Sequence, residues 1–510
     1  MNAVLNRRHA ISLLALIACV LLASTWLAHA RERNLPGSEG QNLAAQRALA
    51  SVGRARVSAG TTELISVASD GTQNNGTIGD VSAISDDGRY VAFESEGNTL
   101  VSGDNNGMSD IFVRDRQTGQ TTRVSVASDG TEGNWWSQKP DISGDGRYVA
   151  FSSWSDNLVL TDTNGTTDDI FVHDRQTSET VLVSIASDGT QGNGTSWVPS
   201  LSADGRFVTF FSDADNLVAG DTLRMRDVFI HDRDTDEDGV FDEPGAVSTV
   251  RVSVASDGTE GNDHAALGDE PSPVSDDGRF VAFHSDASNL VAGDDNDQRD
   301  VFVRDRDTDE DGVFDEPGHV STIRVSVASD GTEGNGWSEG PSISGNGRYV
   351  VFASTANTLV SGDNNGQQDV FVHDLQTSET TRVSVADDGS EATDWSSSNG
   401  ISDDGRYVPF QSAATDLVAG DENDKWDVFV RDRQEGTTTR VSVASDGTEA
   451  NAWSGLQDIS GDGRYVVFMS GATTLVQGDA NDEDDVFVHD RMGTPPVEAT
   501  LSAPWGPPAE

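Results

Sequence analysis

Residues 141–153 read DISGDGRYVAFSS, and after a polar loop they are followed by DIFVHDRQTSETVLVSI at 169–185 and ASDGTQGN at 186–193. The apolar runs are short, rich in Val, Ile, Phe and Tyr, and separated by turn dipeptides such as Asp-Gly and Asn-Gly. Such runs are typical of β-strands joined by tight turns. We therefore predict four strands per unit: a short one ending at the SGDG turn, then RYVAF, DIFVHD and ETVLVSI. No window keeps a 3.6-residue period, which predicts an almost helix-free chain.

The same unit recurs along the whole chain. The motif SxDGR[YF], or a near variant, occurs seven times at intervals of 58, 59, 73, 69, 58 and 58 residues. Seven tandem units of four strands predict an all-β fold, a seven-bladed β-propeller over residues 61–491. Each four-stranded antiparallel blade would bury its faces against two neighbours. The motif arginines are Arg89, Arg147, Arg206, Arg279, Arg348, Arg406 and Arg464.

The two ends of the repeat array complement each other. The last unit stops after DVFVHDR at 485–491 and lacks its fourth strand, whereas an unattached copy of that strand, TTELISV, stands at 61–67. We predict that this N-terminal strand completes the last blade and closes the ring. Closure would leave no open sheet edge in a long β protein that has no disulfide after its leader.

The pattern SxDGRYVAF, followed by DVFVRD and TTRVSV, resembles the TolB-type, WD-like propeller repeats of bacterial secreted and periplasmic proteins. The resemblance covers residues 61–491 and implies the propeller fold. It leaves function open, because propellers of this kind serve as protein-binding scaffolds, as sugar-acid lyases and as gating domains of serine peptidases. This chain departs from the common repeat by a longer loop between the second and third strands.

The N-terminus and the charge bear on location and partners. Residues 1–30 have the pattern of a secretory signal peptide cut after Ala30, followed by a linker at 31–60, and a Pro-rich flexible tail is predicted at 492–510. The protein is therefore expected to be secreted or periplasmic; a lipoprotein anchor at Cys19 is the alternative. Losing two arginines with the leader takes the net charge from −53 to −55. This charge argues against nucleic acid or membrane insertion and favours bound cations. We expect a monomer.

Two acidic insertions, both reading DRDTDEDGVFDEPG, occur at 232–245 and 305–318. Their acids follow the ligand order of an EF-hand-like calcium loop, with Gly245 and Gly318 in place of the bidentate Glu, for which Glu243 and Glu316 would substitute imperfectly. We predict a structural calcium site of weak affinity, about 10⁻⁴ to 10⁻³ M; an unliganded acidic hairpin tip is the alternative. The predicted ligands are Asp234, Asp236, Asp238, Val240 and Asp242, and Asp307, Asp309, Asp311, Val313 and Asp315.

A second acidic motif, D-x-N-[GD]-x-x-D, recurs in the loop before the third strand of each unit. One interpretation is a cation in each blade, held for example by Asp104, Asn106 and Asp110, or by the equivalent residues at 363–369. The other is turn chemistry, because Asp and Asn side chains cap turns by accepting from backbone amides. Three side-chain oxygens are few for calcium, which favours the turn. The second candidate set is Asp363, Asn365 and Asp369.

A tryptophan recurs in the loop that links the ASDGTEGN segment of one unit to the first strand of the next unit. The first and fourth units lack this tryptophan. Propeller geometry places this loop and the D-x-N loop on the same face, which makes that face a candidate ligand surface. The tryptophans would stack sugars or clamp a peptide, or else cover the gap between adjacent blades. They are Trp136, Trp197, Trp337, Trp395 and Trp453.

Catalytic motifs are sparse: the sequence has no G-x-S-x-G and no H-E-x-x-H, and its one cysteine lies in the leader. Four of the nine histidines, His173, His231, His373 and His489, occupy the FVHD repeat slot, which makes a ligand role improbable for them. The Asp of that strand recurs in every unit, which predicts a turn role, such as pairing with a motif arginine. We therefore predict a non-enzymatic, calcium-stabilised binding propeller whose partner is a protein or a glycan. The alternatives are a metal-assisted polysaccharide lyase or hydrolase acting in the central channel, and an acidic, cation-storing surface protein.

Overall fold

The computed structural model describes residues 60–265, 271–481 and 483–493. The predicted signal peptide, Cys19, nearly all of the linker and most of the tail lie outside these ranges. Every regular element within them is a β-strand, as the sequence predicts. No helix in this part of the chain has the length and apolar character that crossing a bilayer requires.

The strands form seven antiparallel sheets, the blades, numbered here in chain order. Blades 1 to 3 consist of β2 (Ile78–Ile84), β3 (Tyr90–Ser95), β4 (Asp110–Asp115) and β5 (Gln120–Arg123); β6 (Ser137–Ile142), β7 (Tyr148–Ser153), β8 (Asp169–Asp174) and β9 (Glu179–Leu182); and β10 (Ser196–Leu201), β11 (Phe207–Ser212), β12 (Asp227–Asp232) and β13 (Ser248–Arg251).

In blade 4 two isolated β-bridges occupy the place of the inner strand; they pair Ala265 with Ser285 and Val274 with Val281. The strands of blades 4 to 7 are β14 (Phe280–Ser285), β15 (Asp300–Asp305) and β16 (Ser321–Arg324); β17 (Ser338–Ile343), β18 (Tyr349–Ser354), β19 (Asp369–Asp374) and β20 (Glu379–Arg382); β21 (Ser396–Ser397), β22 (Tyr407–Ser412), β23 (Asp427–Asp432) and β24 (Thr437–Arg440); and β25 (Ser454–Ile459), β26 (Tyr465–Ser470) and β27 (Asp485–Asp490), with β1 (Thr61–Leu64) added to the last.

The N-terminal strand closes the ring, as predicted. β1 pairs antiparallel with β27, from Thr61 opposite Asp490 to Leu64 opposite Phe487. The inner strands of blades 1 and 2 and of blades 2 and 3 contact each other, and β2 of blade 1 also contacts β25 of blade 7. The inner strands of blades 5, 6 and 7 contact the second and third strands of the preceding blade. The fold is therefore a closed seven-bladed propeller, with its edge strands paired or covered.

The apolar core lies between blades. In each blade a Phe of the second strand stacks on a Phe of the third, with ring centroids 5.5 to 6.0 Å apart. One cluster joins Ala92 and Ile111 of blade 1 to Ile142 and Phe151 of blade 2, and the others join the remaining neighbours in the same way. Burying each such side chain contributes about 1.5–3 kcal/mol, so blade-to-blade packing carries the fold.

The SxDGR[YF] motif combines a turn with a contact between blades. Gly88 adopts a φ of 70°, and a Cβ there would overlap the ring of Tyr465 in the preceding blade. Ser85 Oγ accepts from the backbone N–H of Tyr90, and Asp87 accepts from that of Arg89. The motif glycine thus meets both a left-handed turn and the aromatic residue of the neighbouring motif. The same contact recurs at Gly146, Gly205, Gly278, Gly347, Gly405 and Gly463.

Candidate functional site

The antiparallel topology sorts the loops onto two faces. The upper face, as named here, carries the loops between second and third strands and the loops that lead from one blade to the next. The lower face carries the SxDGR turns and the loops between third and fourth strands, including both acidic insertions. The tryptophans and the D-x-N motifs therefore share the upper face, and the insertions are on the opposite side.

On the lower face the recurring arginines and aspartates form ion pairs. Arg89 Nε and Nη2 donate to the two carboxylate oxygens of Asp115 at 3.0 and 2.8 Å. The guanidinium also lies 4.6 Å from the centroid of the Tyr90 ring. Hydrogen bonding to Arg89 holds the pKa of Asp115 well below its usual range. All seven blades have this pair, so the acid that recurs in every third strand fixes the turn.

The histidines of the FVHD slot contact a threonine of the outer strand. His173 Nδ1 lies 2.8 Å from Thr180 Oγ1, and His231 lies 2.8 Å from Thr249 in the same way. Where the slot holds Arg114 instead, its Nη1 donates to Thr121 Oγ1. Burial lowers the pKa of His173 to about 4. These contacts give the slot a structural role, as its repetition in the sequence indicates.

The D-x-N loops form clusters of carboxylates around an arginine. Arg123 Nη1 lies 3.0 Å from Asp110 Oδ2 and 3.8 Å from Asp104 Oδ1, and it also donates to Glu132. Asn106 Nδ2 donates to the Gly133 carbonyl at 2.9 Å, while its Oδ1 accepts from the backbone of the turn. The guanidinium thus supplies a counter-charge to these carboxylates, and Asp104, Asp110 and Glu132 also lie close enough together to hold a cation.

The second candidate set has the same geometry. Arg382 Nη1 lies 3.5 Å from Asp363, 3.0 Å from Asp369 and 2.9 Å from Glu391. Asn365 Nδ2 donates to Asp369 Oδ2 and to a backbone carbonyl. The sequence reading missed the arginine because it belongs to the outer strand, well separated along the chain from the loop. Its signal was present nonetheless, since Arg ends that strand in five units.

Two blades lack the arginine, and they change a second residue with it. Blade 2 has Leu182 and Gln191 where other blades have Arg and Glu. Gln191 Nε2 donates to Asp162 Oδ1 and Asp169 Oδ2, both at 3.0 Å, and so replaces the guanidinium as donor. Blade 7 makes the same pair of changes, with Leu64 and Gln73. One positive and one negative charge are lost together, which preserves the balance of the cluster.

Each acidic insertion brings three of its predicted ligands together. Carboxylate oxygens of Asp234, Asp236 and Asp238 lie within 4.8 Å of one another, close enough to share one cation. Asp234 is buried and accepts from the backbone N–H groups of Asp238 and Gly239. The second insertion repeats the cluster with Asp307, Asp309 and Asp311.

The predicted fourth carboxylate is engaged elsewhere in both loops. Asp242 accepts from Arg233 Nε at 3.0 Å, and Asp315 accepts from Arg306 Nη2 at 2.7 Å. Val240 and Val313 have half-exposed side chains, and their N–H groups donate to Asp238 and Asp311. Gly245 has a φ of 90°, a conformation that disfavours the glutamate found in the last position of an EF-hand loop.

Both insertions fasten one blade to the one before it. Phe241, in the first loop, contacts the Tyr148 ring of blade 2 with centroids 5.3 Å apart. Phe314, in the second loop, meets the Phe207 ring of blade 3 edge-on at 5.4 Å. This placement agrees with the predicted structural role, because ordering the loop joins two blades on the lower face.

Four of the five predicted tryptophans occupy one exposed position, and the fifth lies within a strand. Trp136, Trp337, Trp395 and Trp453 each directly precede the first serine of the inner strand, and 36 to 60% of their area is exposed. Trp197 instead follows that serine, lies within β10, packs edge-on against Phe211 and has Arg226 over its ring at 4.1 Å. The four exposed indoles make the upper face the candidate ligand surface.

Buried carboxylates on the inner strands were not predicted. Asp141 Oδ2 accepts from the Leu201 N–H of blade 3 at 2.7 Å, and Asp458 Oδ2 accepts from the Ile84 N–H of blade 1 at 2.9 Å. Burial raises the pKa of Asp141 to about 6 and that of Asp458 to about 8. Their only sequence signal is that they break the repeat, with Asp where blades 1 and 3 have Ala83 and Ser200.

No family model matches the chain, and no curated protein matches it by sequence. Similar solved structures include TolB from Acinetobacter baumannii, at 15% identity over 65% of this chain and 58% of that one, with a TM-score of 0.34. An oligogalacturonate lyase in complex with manganese is 12% identical over 84% and 96%, with a TM-score of 0.45. The β-propeller domain of the Trilobed protease from Pyrococcus furiosus is 11% identical over 83% and 99%, at 0.46.

TolB propellers are thus among the similar structures, as the resemblance of the repeat predicts. The chain spans less than two thirds of the length of the Acinetobacter TolB. At these identities the similarity is one of fold alone.

Proposed function

We propose that this protein is a secreted or periplasmic, non-enzymatic propeller that binds a protein or a glycan on its upper face and is stabilised by calcium on its lower face. The observation that carries the proposal is the row of exposed tryptophans on one face, Trp136, Trp337, Trp395 and Trp453. Exposed indoles offer large, rigid contact areas at little entropic cost, which is why they are frequent in binding surfaces.

The roles of the recurring polar residues support binding over catalysis. The motif arginines pair with the recurring aspartates, the FVHD histidines with threonines, and the D-x-N acids with arginine or glutamine. Each of these contacts stabilises a blade, and each recurs around the ring. A surface of this kind presents tryptophans on a rigid, repeated support.

The acidic insertions support the calcium part of the proposal. Each gathers three carboxylates around one point, and Asp236 and Asp309 in them are exposed to solvent. Carboxylate oxygens are the ligands that calcium prefers, and mutual repulsion among three of them is relieved by a divalent cation. Three ligands and a glycine in the last position are consistent with weak affinity.

The binding proposal is tested with residues 31–510, screened against a glycan array and against immobilised extracellular proteins with calcium. We expect a ligand whose binding is lost in a variant with Ala at the four exposed tryptophans. Val240→Ala with Val313→Ala is the matched control, since it removes exposed apolar area from the lower face only. Unchanged binding by the tryptophan variant would overturn the proposal, and so would turnover of a bound polysaccharide to shorter products.

A further inference from the structure

Blade 2 breaks the repeat at two positions of the upper face, both with tryptophan. It has two consecutive tryptophans, Trp135 and Trp136, and a third, Trp154, directly after its second strand. Asp168 lies directly before the third strand, a position that varies among the blades and is also Asp in blade 7, at Asp484. The residues equivalent to Trp154 in the other blades are Glu96, Asp213, Asp286, Thr355, Ala413 and Gly471.

Trp136 and Trp154 form one aromatic platform, and Trp135 lies beside them in the chain. Trp136 stacks on Trp154 with ring centroids 5.3 Å apart and 29° between the ring planes. The Trp154 N–H donates to the Trp136 carbonyl at 3.0 Å, and the Trp135 N–H donates to Ser155 Oγ at 2.9 Å. The backbone therefore fixes all three residues, while Trp135 and Trp136 remain 39 and 40% exposed.

Asp168 lies beside this platform. Its side chain is buried, its Oδ2 accepts from Gln138 Nε2 at 3.2 Å, and the Trp154 side chain is close to its carboxyl. Burial raises the pKa of Asp168 to about 8. The carboxyl thus orients the half-buried amide of Gln138 next to the indole of Trp154. Asp168 is therefore a positioning residue, and Gln138 is the polar group beside the platform.

The surroundings of the platform carry polar and mostly acidic groups. Ser137, next to Trp136, donates from its N–H to the Ser109 carbonyl of blade 1. Ser109 Oγ in turn donates to Glu94 Oε1 at 2.8 Å, and Glu94 Oε2 accepts from the Lys139 N–H. With a chain charge of −53, this face repels polyanions. An uncharged ligand with a flat apolar face and polar edges fits best.

We propose that blade 2 carries a glycan subsite, in which an uncharged pyranose ring stacks on Trp136, whose indole is backed by that of Trp154, and hydrogen-bonds to Gln138. The C–H face of a pyranose provides the apolar surface for the indoles, and its hydroxyl groups provide the polar edge. This inference rests on the proposed binding function and names both its ligand class and its place in the ring.

The test uses residues 31–510 and defined oligosaccharides, with binding followed by calorimetry and by tryptophan fluorescence. The uncharged probes are the hexasaccharides of cellulose, chitin, xylan and mannan; the anionic probe is hexagalacturonate. We expect at least one uncharged probe to bind, and Trp136→Ala to weaken that binding about tenfold or more. Trp426→Ala is the matched control, because it removes an exposed indole of the same face, directly before the third strand of blade 6, that is not one of the four proposed binding tryptophans, and we expect less than a twofold change.

Gln138→Ala and Asp168→Asn separate contact from positioning. We expect Gln138→Ala to weaken binding of the same probe, and Asp168→Asn to alter the fluorescence of the free protein together with its affinity, at an unchanged melting temperature. Equal losses for Trp136→Ala and Trp426→Ala would overturn the subsite, as would preferential binding of hexagalacturonate. Capture of a protein partner by the upper face, with no oligosaccharide bound, would overturn this inference and leave the proposed function in place.

Discussion

Arg382 lies among three carboxylates whose side chains are largely withdrawn from solvent, those of Asp363, Asp369 and Glu391. The D-x-N motif was recognisable in the sequence, but the cation that neutralises it comes from another strand. In blades 2 and 7 the arginine is replaced by Leu and the glutamate by Gln, so that one positive and one negative charge are absent together. Both interpretations of the motif, a turn and a cation site, could be reached from the sequence, whereas the arginine beside the carboxylates could be identified only from the register of the sheet.

These two arrangements predict the outcome of a double substitution. Arg382→Leu alone leaves three acids without their counter-charge and should lower the free energy of unfolding by about 3–5 kcal/mol. Arg382→Leu with Glu391→Gln reproduces the pair found in blade 2 and should recover most of that loss. Urea unfolding of both variants measures the difference. A double variant as unstable as the single one would show that Gln cannot replace the guanidinium.

His319 distinguishes the two acidic insertions. Its Nδ1 lies 2.8 Å from Asp309 Oδ2, whereas the first loop has Ala246 at this position. His319 therefore competes with a cation for one of three carboxylates. We expect His319→Ala to tighten calcium binding to the second loop about fivefold, roughly one hydrogen bond, and Ala246→His to weaken the first loop by a similar factor. Calorimetry on variants in which the other loop no longer binds calcium measures the calcium affinity of each loop separately. Equal affinities in all variants would contradict competition by His319.

For the two acidic insertions, the sequence predicted which residues could bind a cation, but it did not predict the contacts that these residues make in the folded loops. The ligand order placed five groups in each loop, but Arg233 and Arg306 each take the last carboxylate, a contact that loop spacing does not reveal. Their aromatic contacts with the preceding blade also depend on the assembled ring. Trp197 illustrates the same limit, because a shift of two residues along the chain moved it from the exposed slot into the strand.

Calcium should stabilise the ring through these loops. At about 10 mM calcium we expect a gain of about 1–3 kcal/mol per loop, reversed by chelation. Asp236→Ala with Asp309→Ala should abolish the response without unfolding the protein. Glu237→Ala with Glu310→Ala is the control, since these residues pair with Arg206 and Arg279 and remove the same charge outside the cluster. Melting curves with and without calcium decide; a full response in the aspartate variant would contradict the site.

β1 is the element on which ring closure depends. Deleting residues 61–67 removes the outer strand of blade 7 and exposes β27, so it should lower the melting temperature far more than trimming residues 492–510. The two truncations are compared by calorimetry on purified protein. Similar losses for both would show that closure contributes little to stability.

At the scale of the whole molecule, the fold followed from the sequence because its signal is repeated seven times, so that local ambiguities cancel. The complementary ends predicted even the closing strand. What repetition could not predict is the set of positions where blades differ. Asp168 and Trp154 act through contacts within blade 2, and Asp458 acts through a contact with blade 1. The candidate ligand site lies among such exceptions.

Buried acids give the molecule a defined pH dependence. Burial raises the pKa of Asp458 to about 8 and that of Asp141 to about 6, so their protonated forms favour the fold, and this contribution is lost as pH rises through those values. Asp174 has its pKa lowered to about 2, despite partial burial, by its bonds to Arg147, and its contribution is lost as pH falls from about 3.8 towards 2.

We therefore expect the melting temperature, measured with chelator present, to be highest near pH 4 and to decline from there to about pH 8, where Asp458 has ionised in the folded protein. Asp458→Asn should flatten the alkaline side of the profile. A melting temperature that rises steadily from pH 5 to 9 would contradict this assignment.

The pairing of β1 with β27 also constrains the order of folding during synthesis. β1 is synthesised early, but its partner β27 is synthesised more than four hundred residues later. Until then blade 7 has no outer strand, and loop-closure entropy opposes its completion. Emerging from a ribosome or a translocation pore, the early segment needs a chaperone or rapid delivery of the remainder, and truncated chains are expected to pair with one another instead.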